Sequence, residues 1–494
     1  MKKLLVFLIA CLLVLSTCLV GCQNTTNDPK DTTAKDGEST PEGEETLPEN
    51  EMLGLPDDLN YGNAEFTILS YNALVDEFGD KSATDVISQS MVERDSFVEA
   101  RLGIIFNIES MNGQFNDRLT YAEAVRQSVM LGGKEWDLIG AYSLVPPTLA
   151  LNNAVIDMRT TEYLDLSKVW WPQFMVDTTT VNGKTYFTSG DVSINCLFQM
   201  IPVFFNSELL EIHGFDEEEL YQMVLDGEWT IENFFEMIED VSVLGGDNVW
   251  NDVEDIYAYS VLDETALDSF YYAQGLYAFK EDAEGKLLVA EDDLLSEKIL
   301  DIFTTVYDSI NTYHSMYFAT GAFGRWEANT TIFGTFKVSK MREVEDPNLY
   351  GILPFPKYEE GTDVAHQTLL GSPHTQYCIP YDVEDADRSS AVLEMLAYAS
   401  YEYVTPTVFE DTLKLRYSRD NNASLMYDII RDGLTTDLGI LYYNSFGDVG
   451  GRNIQSIFRQ MIKNNQDNWV SNYRNNYAAG MAQVQEILNG LYSK

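Results

Sequence analysis

The sequence predicts an α/β protein in which helices wrap a parallel sheet. Short runs of β-branched and aromatic residues alternate with helical patterns between about residues 64 and 140. The chain has 494 residues, of which 45% are hydrophobic, so it can bury more than one core and we expect two or three domains. It contains no repeat of about 20–50 residues, which argues against a solenoid.

The amino-terminal elements define that sheet. Strands are expected at Glu65–Ser70, Ile104–Ile108 and Trp136–Gly140, with helices over about 86–101 and 117–131. Strands that alternate with helices in this way are typical of parallel sheets built from crossover units.

The middle of the chain repeats this alternation with different details. Ile201–Asn206 predicts a strand, after which Ser207 can N-cap a helix over Glu208–Ile212. Thr230 can N-cap another helix. Further on, Tyr350–Pro356 predicts a short strand ended by prolines, and residues 387–400 predict a strongly amphipathic helix.

The first residues predict an export signal over residues 1–21. Lys2 and Lys3 precede the uncharged stretch Leu4–Val20, which has the length of a secretory apolar segment. Leu19-Val20-Gly21-Cys22 resembles the bacterial lipobox, in which the cysteine is acylated after cleavage. The alternative is an ordinary cleaved signal with a chance cysteine. We expect an exported protein, anchored through Cys22 to the outer face of the cell membrane.

A polar segment follows, and no later stretch predicts a transmembrane helix. Residues 22–60 contain few bulky apolar side chains, so we expect a disordered tether, with ordered structure beginning near Ala64.

Charge and cysteine content exclude some functions and leave others open. The formal net charge is −48, from 31 Lys and Arg against 79 Asp and Glu, and such a charge repels phosphate backbones. We therefore expect no nucleic-acid partner. Two of the five cysteines, Cys196 and Cys378, lie in the expected body, where they could form one long-range disulfide or remain two buried thiols.

A series of short motifs resembles one family of binding proteins. In order along the chain they are Trp136-Asp137-Leu138-Ile139, Val155-Ile156-Asp157-Met158, Asn182-Gly183-Lys184, Phe204–Leu210, Gly227-Glu228-Trp229-Thr230 and Tyr350–Pro356. No single motif is specific. Together, over roughly residues 64–480, they resemble the extracellular solute-binding proteins of ABC importers, of the carbohydrate type that includes maltose-binding protein.

The resemblance implies a two-lobe, periplasmic-binding-protein-like fold of type II. Its ligand lies in a cleft between lobes that close by a hinge. The family's template gives residues 61–190 and 370–435 to lobe 1, and residues 191–369 and 436–494 to lobe 2. Crossing strands would lie near Ser189-Gly190-Asp191 and Gly371-Ser372, where the glycines suit either a bending backbone or an ordinary turn.

The resemblance also implies a function. We expect a monomer that captures an oligosaccharide or similar polar solute and delivers it to membrane permease subunits. It would need no catalysis and no cofactor.

Sugar binding requires hydrogen-bonding groups for the hydroxyl rims and aromatic rings for the apolar faces. Tyr142 and Ser143 follow the third strand, and open α/β sheets bind ligands beyond the carboxyl ends of their strands. Asp191, at the first crossing, could accept hydrogen bonds from hydroxyls or cap a turn. Gln199 stands where maltose-binding relatives have a ligand-contacting acid.

The remaining candidates are aromatic or basic. Trp326, flanked by glycine and charge, is expected to be a stacking platform or a packed surface aromatic. Phe336 matches a cleft aromatic of the family, although a core position is the stronger interpretation. Trp171, next to Trp170, could line the cleft mouth or wedge two helices. Arg452 could bind a carboxylate or hydroxyl, or simply be solvated.

Catalytic and metal signatures are sparse. The chain has no nucleophile elbow, zincin motif or phosphate loop, and its four histidines are scattered. A carboxylate pair for glycoside hydrolysis depends on a separation in space, so a surface-anchored glycoside hydrolase stays an alternative, as does a ligand-sensor subunit. The oxygen-rich loop 245–255 could bind calcium, but it lacks the EF-hand spacing and could equally be a solvated acidic loop.

Overall fold

The computed structural model describes residues 53–246, 248–250, 254–261, 265–283, 286–319, 323–344, 349–414, 421–446 and 457–490. Cys22 and residues 1–21 lie outside these ranges. Leu53 and Leu55 are buried in the hydrophobic core, where they pack with residues of the first sheet. The tether prediction is therefore wrong for the last residues it covered, because two leucines are enough to fix this segment to the core.

The first sheet, with the helices packed on it, forms lobe 1. Its strand order is β15-β3-β1-β2, where β15 is Thr375–Cys378; β1, β2 and β3 are parallel, and β15 is antiparallel to β3. The register places Ala64 opposite Ile104 and Ile68 opposite Leu138. The elements at its amino-terminal end are β1 (Ala64–Tyr71), α1 (Val86–Leu102), β2 (Ile104–Met111), α2 (Arg118–Leu131), β3 (Leu138–Tyr142), α3 (Val145–Leu151), α4 (Gln173–Thr179), β4 (Thr180–Val181) and β5 (Lys184–Thr185).

Local signals account for the boundaries of these elements. Helix α1 begins where the Asp85 carboxylate accepts from the backbone N–H of Ser88, and it ends at Gly103 in the left-handed region, with φ of 60°. The predicted alternation of strands and helices is confirmed. The third strand begins at Leu138 rather than at Trp136, and the Asp137 carboxylate accepts from the backbone N–H of Thr67.

The second sheet, with its helices, forms lobe 2. Its strand order is β11-β8-β12-β7-β13, in which β8, β11 and β12 are parallel and β7 is antiparallel to both of its neighbours. The elements from the middle of the chain are α5 (Asn195–Phe198), β6 (Met200–Ile201), β7 (Val203–Asn206), α6 (Ser207–Ile212), α7 (Glu217–Leu225), α8 (Ile231–Ile238), β8 (Tyr257–Val261), α9 (Ser269–Tyr272), β9 (Phe279–Glu281), β10 (Leu287–Val289), α10 (Glu291–Leu294), α11 (Glu297–Asn311), β11 (Met316–Phe318), α12 (Phe323–Glu327), β12 (Thr331–Thr335) and β13 (Tyr350–Leu353).

The carboxyl-terminal part returns to the first sheet and then leaves it again. Its elements are β14 (Thr368–Leu370), β15 (Thr375–Cys378), α13 (Ala386–Ala399), α14 (Asn421–Asp432), β16 (Leu434–Thr435), α15 (Leu438–Leu441), α16 (Tyr443–Phe446), α17 (Ile457–Lys463), α18 (Trp469–Asn476) and α19 (Ala478–Gly490). Short 3₁₀ helices span Met158–Thr160, Ala266–Asp268 and Val338–Glu343, and π-helical turns span Ser400–Val404 and Pro406–Lys414.

A small third sheet marks the three places where the chain passes between the lobes. Its order is β16-β14-β6, and each of its strands is short. The first crossing runs from Ser189 to Ile201, the second from Thr368 to His374, and the third from Gly433 to Asp437. Helix α14 packs on β13 and α7 of lobe 2 and also on the π-helical turn Pro406–Lys414, which itself packs on α1 of lobe 1. The lobe boundaries stay a prediction.

Three local expectations need correction. Asn206, not Ser207, caps the helix, because its side chain accepts from the backbone N–H groups of Glu208 and Leu209. Pro202 lacks an N–H and divides the predicted strand into β6 and β7. The helix predicted over residues 387–400 is buried on nearly every side rather than amphipathic, because the chain covers it from both lobe 1 and the π-helical turns. Thr230 does cap α8, as expected.

The cysteines and the helices bear on two further expectations. Cys196 and Cys378 are both free thiols, with Cys378 buried. In the described part of the chain, no helix combines the length and apolarity needed to cross a lipid bilayer.

The glycines in the first two crossings let neighbouring atoms pack close to the backbone; they do not serve a left-handed backbone conformation. Neither Gly190 nor Gly371 has a positive φ. A Cβ on Gly190 would lie 2.5 Å from the carbonyl oxygen of Trp170 and 2.8 Å from the Trp171 ring. On Gly371 it would lie 3.0 Å from Ile201 Cδ1.

We expect Gly190→Ala to lower the free energy of unfolding by about 1–3 kcal/mol, because the added methyl overpacks a site with no room. Urea denaturation measures this change. Gly324→Ala is the matched control: nothing lies within 4 Å of its Cβ position, so its effect should stay within about 1 kcal/mol. Equal effects of the two substitutions would contradict the close-approach explanation.

Candidate functional site

The carboxyl ends of strands from both lobes border the second crossing. Ser143, directly after β3, shares a 2.9 Å hydroxyl–hydroxyl hydrogen bond with Ser372, and its backbone N–H donates to the His374 carbonyl. On the other side, Lys337 follows β12, and its Cε lies 3.1 Å from the Cβ position of Gly371. Open α/β sheets bind ligands beyond such strand ends, so a ligand placed here would touch both lobes.

An aromatic cluster lies at the strand ends of lobe 1. The Tyr142 ring is 6.3 Å from that of Tyr71 and 6.4 Å from that of Phe115. Phe115 is in turn 6.2 Å from Tyr443. Tyr71 and Tyr142 are buried, whereas Phe115 is 46% exposed and Tyr443 is half-buried. The two outer rings therefore offer apolar faces of the kind that sugar rings stack on.

Arg118 adds a fixed cation to this cluster. Its guanidinium carbon lies 3.9 Å from the centroid of the Phe115 ring and 5.8 Å from that of Tyr443. Its Nε donates to Asn444 Oδ1 at 2.7 Å, and another guanidinium N–H donates to the Phe115 carbonyl. Asn444 is held in place by donating to the Leu144 carbonyl.

We call this set the strand-end crevice; it consists of Phe115, Arg118, Tyr142, Ser143, Ser372 and Tyr443. It combines exposed aromatic faces with hydroxyl and guanidinium groups. Those are the two kinds of surface that a polyhydroxyl ligand requires.

A separate cavity of about 410 Å³ lies beside the first crossing. We call it the hinge cavity; its lining includes Asp191, Cys196, Thr405, Arg431 and Leu434. Asp191 is 9% exposed, and its Oδ1 accepts from Thr405 at 3.0 Å and from Arg431 at 3.3 Å. Burial raises the pKa of Asp191 to about 6, and the Arg431 charge opposes that rise.

The comparisons with known proteins rest on structure alone. No family model matches the sequence, and no curated protein matches it in sequence. The extracellular solute-binding protein from Staphylococcus aureus, solved with maltose, has a TM-score of 0.57 at 11% identity, over 86% of this chain and 98% of that chain. The sugar-binding protein from Xanthomonas citri has a TM-score of 0.55 at 11% identity, over 86% and 98%.

A third structure agrees with these two. The cyclic α-maltosyl-1,6-maltose binding protein from Arthrobacter globiformis has a TM-score of 0.54 at 12% identity, over 87% of this chain and 99% of that chain. The chain has the two-lobe fold of extracellular solute-binding proteins. The predicted fold class is thereby confirmed.

Within this solute-binding fold, Trp326 and Phe336 are core residues of lobe 2. Each is 1% exposed. The Trp326 ring packs 5.0 Å from Phe336 and 4.9 Å from Tyr350, and Phe336 stacks on Phe204 at 4.5 Å. The expectation that Trp326 is an exposed stacking platform is therefore wrong in this structure: Gly334, which has no side chain, leaves the space into which the ring packs. Phe336 is a core residue, as its stronger interpretation predicted.

Trp171 is also buried, at 1% exposure. Its indole N–H donates to Glu394 Oε2 at 2.9 Å, and that of Trp170 donates to Glu394 Oε1 at 3.0 Å. The pair joins helix α13 to the segment before α4, which matches the wedge interpretation and not a place at the cleft mouth.

Gln199, in the first crossing, is fully buried against the second crossing. Neither its side-chain nitrogen nor its side-chain oxygen has a hydrogen-bond partner in the described part of the chain. Its backbone carbonyl accepts from Gly371 at 2.9 Å. A buried amide without hydrogen-bond partners costs free energy, and hydrogen bonds to a ligand would relieve this cost. That Gln199 contacts the ligand stays a prediction.

Two further expectations fall partly or wholly outside the described residues. Arg452 lies outside them. Residues 247 and 251–253 of the loop expected to bind calcium also lie outside the described residues. Within the described ranges, no three His, Cys, Asp or Glu side chains converge as a metal site. The calcium expectation stays a prediction.

Sequence reasoning missed Phe115, Arg118 and Tyr443. Phe115 and Arg118 follow β2 at the same sheet edge as Tyr142, so the strand-end rule applied to β2 would have found them. Tyr443 offered no such signal, because it reaches the crevice from the far end of the chain.

The Glu394 carboxyl supplies a pH test of the Trp170–Trp171 junction. Burial raises its pKa from an ordinary 4.5 to about 7, although both indoles and the backbone N–H of Asp165 oppose the rise. The unfolded chain then releases this proton at lower pH than the folded chain. Glu394 therefore lowers the free energy of unfolding as pH rises from about 4.5 to about 7.

We expect Glu394→Gln to remove this part of the pH dependence. Urea denaturation between pH 4.5 and 8 should show a shallower decline for the variant than for the natural chain. The exposed Glu402, changed to Gln, serves as the control and should leave the slope unchanged. An unaltered slope in Glu394→Gln would show that the carboxyl titrates normally.

Proposed function

We propose that this protein captures an oligosaccharide or similar neutral polar solute in the strand-end crevice. The observation that carries the proposal is the combination of exposed Phe115 and half-buried Tyr443 with a guanidinium that is already fixed between them. Sugars need both groups, and a preorganised arginine loses little entropy on binding. The fold agrees, since the Staphylococcus aureus protein that shares it was solved with maltose.

Ligand-stabilised closure is the mechanism we infer. The crevice borders the second crossing, so a solute bound there lies between Ser372, whose hydroxyl bonds to the buried Ser143 of lobe 1, and the Lys337 side of lobe 2. Such a ligand favours whichever arrangement of the lobes gives it both sets of contacts. We propose that permease subunits of an ABC importer recognise the closed arrangement and receive the solute.

Calorimetric titration with a panel of neutral oligosaccharides tests the proposal. Phe115→Ala should weaken binding about ten-fold, because a stacking face is lost. Tyr381→Ala is the matched control, since Tyr381 is 68% exposed and lies outside the crevice. Unchanged affinity in Phe115→Ala would remove the crevice from the binding site.

The same incubations distinguish a binding protein from a glycoside hydrolase. A binding protein leaves the oligosaccharide intact, while a hydrolase generates reducing ends. An increase in reducing ends that depends on the protein would favour the enzyme.

We further propose that Cys22 is acylated and holds the exported protein at the outer face of the cell membrane. The lipobox-like Leu19-Val20-Gly21-Cys22 supports this. Cys22→Ser should release the protein from the membrane fraction and abolish labelling by a radioactive fatty acid. Cys18→Ser, within the apolar signal, is the control and should leave both unchanged; persistence of the label in Cys22→Ser would refute the anchor.

A further inference from the structure

The hinge cavity and the strand-end crevice have no lining residue in common. The cavity is bounded by the start of α4, the first crossing, the π-helical turns and the approach to the third crossing. Its volume of about 410 Å³ lies within the range of about 300–1,000 Å³ that small-molecule sites occupy. A molecule held there would contact two of the three segments that join the lobes.

The Asp191 carboxylate leaves one acceptor free in this cavity. Both of its hydrogen bonds go to Oδ1, from Thr405 and Arg431. Oδ2 has no partner in the described residues, and it is open to the cavity rather than sealed in the core. A ligand hydroxyl in the cavity can therefore donate to Oδ2.

Arg431 places a donor beside this acceptor. It is 30% exposed and has only one nitrogen committed to Asp191. Two neighbouring hydroxyls of a polyol match such a pair, because one donates to the carboxylate while the other accepts from the guanidinium. Apolar side chains complete the wall for the C–H face of a ring; they are Pro172, Phe174, Met175, Leu197 and Leu434.

The charges argue against an ionic ligand. Arg431 already neutralises Asp191, and the nearby Asp432 on the same lining would repel an anion. A cation would compete with Arg431 for the same carboxylate.

We propose that the hinge cavity is a second binding site, for a small neutral polyol of monosaccharide size. The site is distinct from the crevice that binds the transported solute. Because its walls belong to two crossings, occupancy favours one arrangement of the hinge and couples the small polyol to solute binding.

The experiment is a calorimetric titration of the purified protein with single sugars and sugar alcohols, such as glucose, galactose, mannitol and myo-inositol. Val169→Trp blocks the cavity at its rim, since Val169 lines the cavity. Val169 is 58% exposed, so the larger side chain does not have to fit into the core. Val86→Trp is the matched control, at 62% exposure and away from the cavity. Asp191→Asn tests the acceptor itself.

The expected result is binding of at least one polyol that Val169→Trp and Asp191→Asn each weaken about ten-fold or more, while Val86→Trp does not. Binding by no member of the panel, or equal binding by Val169→Trp and the natural chain, overturns the proposal. Normal binding by Asp191→Asn overturns the recognition assigned to Asp191.

Phe115→Ala distinguishes this site from the crevice. If it abolishes polyol binding while Val169→Trp does not, the polyol occupies the crevice and the second site does not exist. Oligosaccharide binding is measured in parallel, so the proposed function stands or falls on its own titration.

Discussion

The Glu77 carboxylate holds the first crossing against lobe 1. It is 4% exposed and accepts from Ser193 at 2.6 Å, from the Asn195 amide at 2.8 Å and from the Tyr377 hydroxyl at 3.0 Å. These donors come from the first crossing and from β15, while Glu77 itself lies in the loop after β1. A buried charge is tolerated only when it is fully hydrogen-bonded, so all three segments must keep this arrangement.

At the crevice, the second crossing is held by weaker contacts than those by which Glu77 holds the first crossing. Ser372 contacts lobe 1 through its hydroxyl, which bonds to that of Ser143, and His374 does so through its carbonyl, which accepts from the Ser143 N–H. Next to it, burial lowers the pKa of His374 to about 4, so the ring is neutral; its Nδ1 pairs with the Gly371 carbonyl and its Nε2 with the Gln376 amide. Neutral, short-range contacts of this kind can be exchanged for contacts to a ligand at less cost than a buried ion network can.

The sequence was sufficient for the elements whose signals are local. The alternation from β1 to β3 follows from residue periodicity, and the Thr230 cap follows from its side chain. Asn206 and Ser207 are both good caps, so only the backbone geometry decides between them. Leu53 and Leu55 looked like part of a polar tether because two leucines carry no periodic pattern.

The site was less predictable because its residues meet through tertiary structure. Asp191 and Arg431 are 240 positions apart, and Arg118 and Asn444 are 326 apart. Trp326 was misjudged for a related reason: its glycine and arginine neighbours suggested exposure, but the missing side chain of Gly334 provides the space that buries the ring. Sequence spacing reports on none of these pairings.

The charge of the chain narrows what the crevice can hold. Several described arginines pair with acids, as Arg94 does with Asp95 and Arg388 with Asp137. Arg118 instead has an amide, a carbonyl and two rings as partners, and within the described residues it forms no ion pair. One such cation could attract an anion at short range, but the net charge of −48 repels anions during approach. A neutral polyhydroxyl solute avoids that repulsion and still uses the guanidinium, so the oligosaccharide is favoured over a uronate.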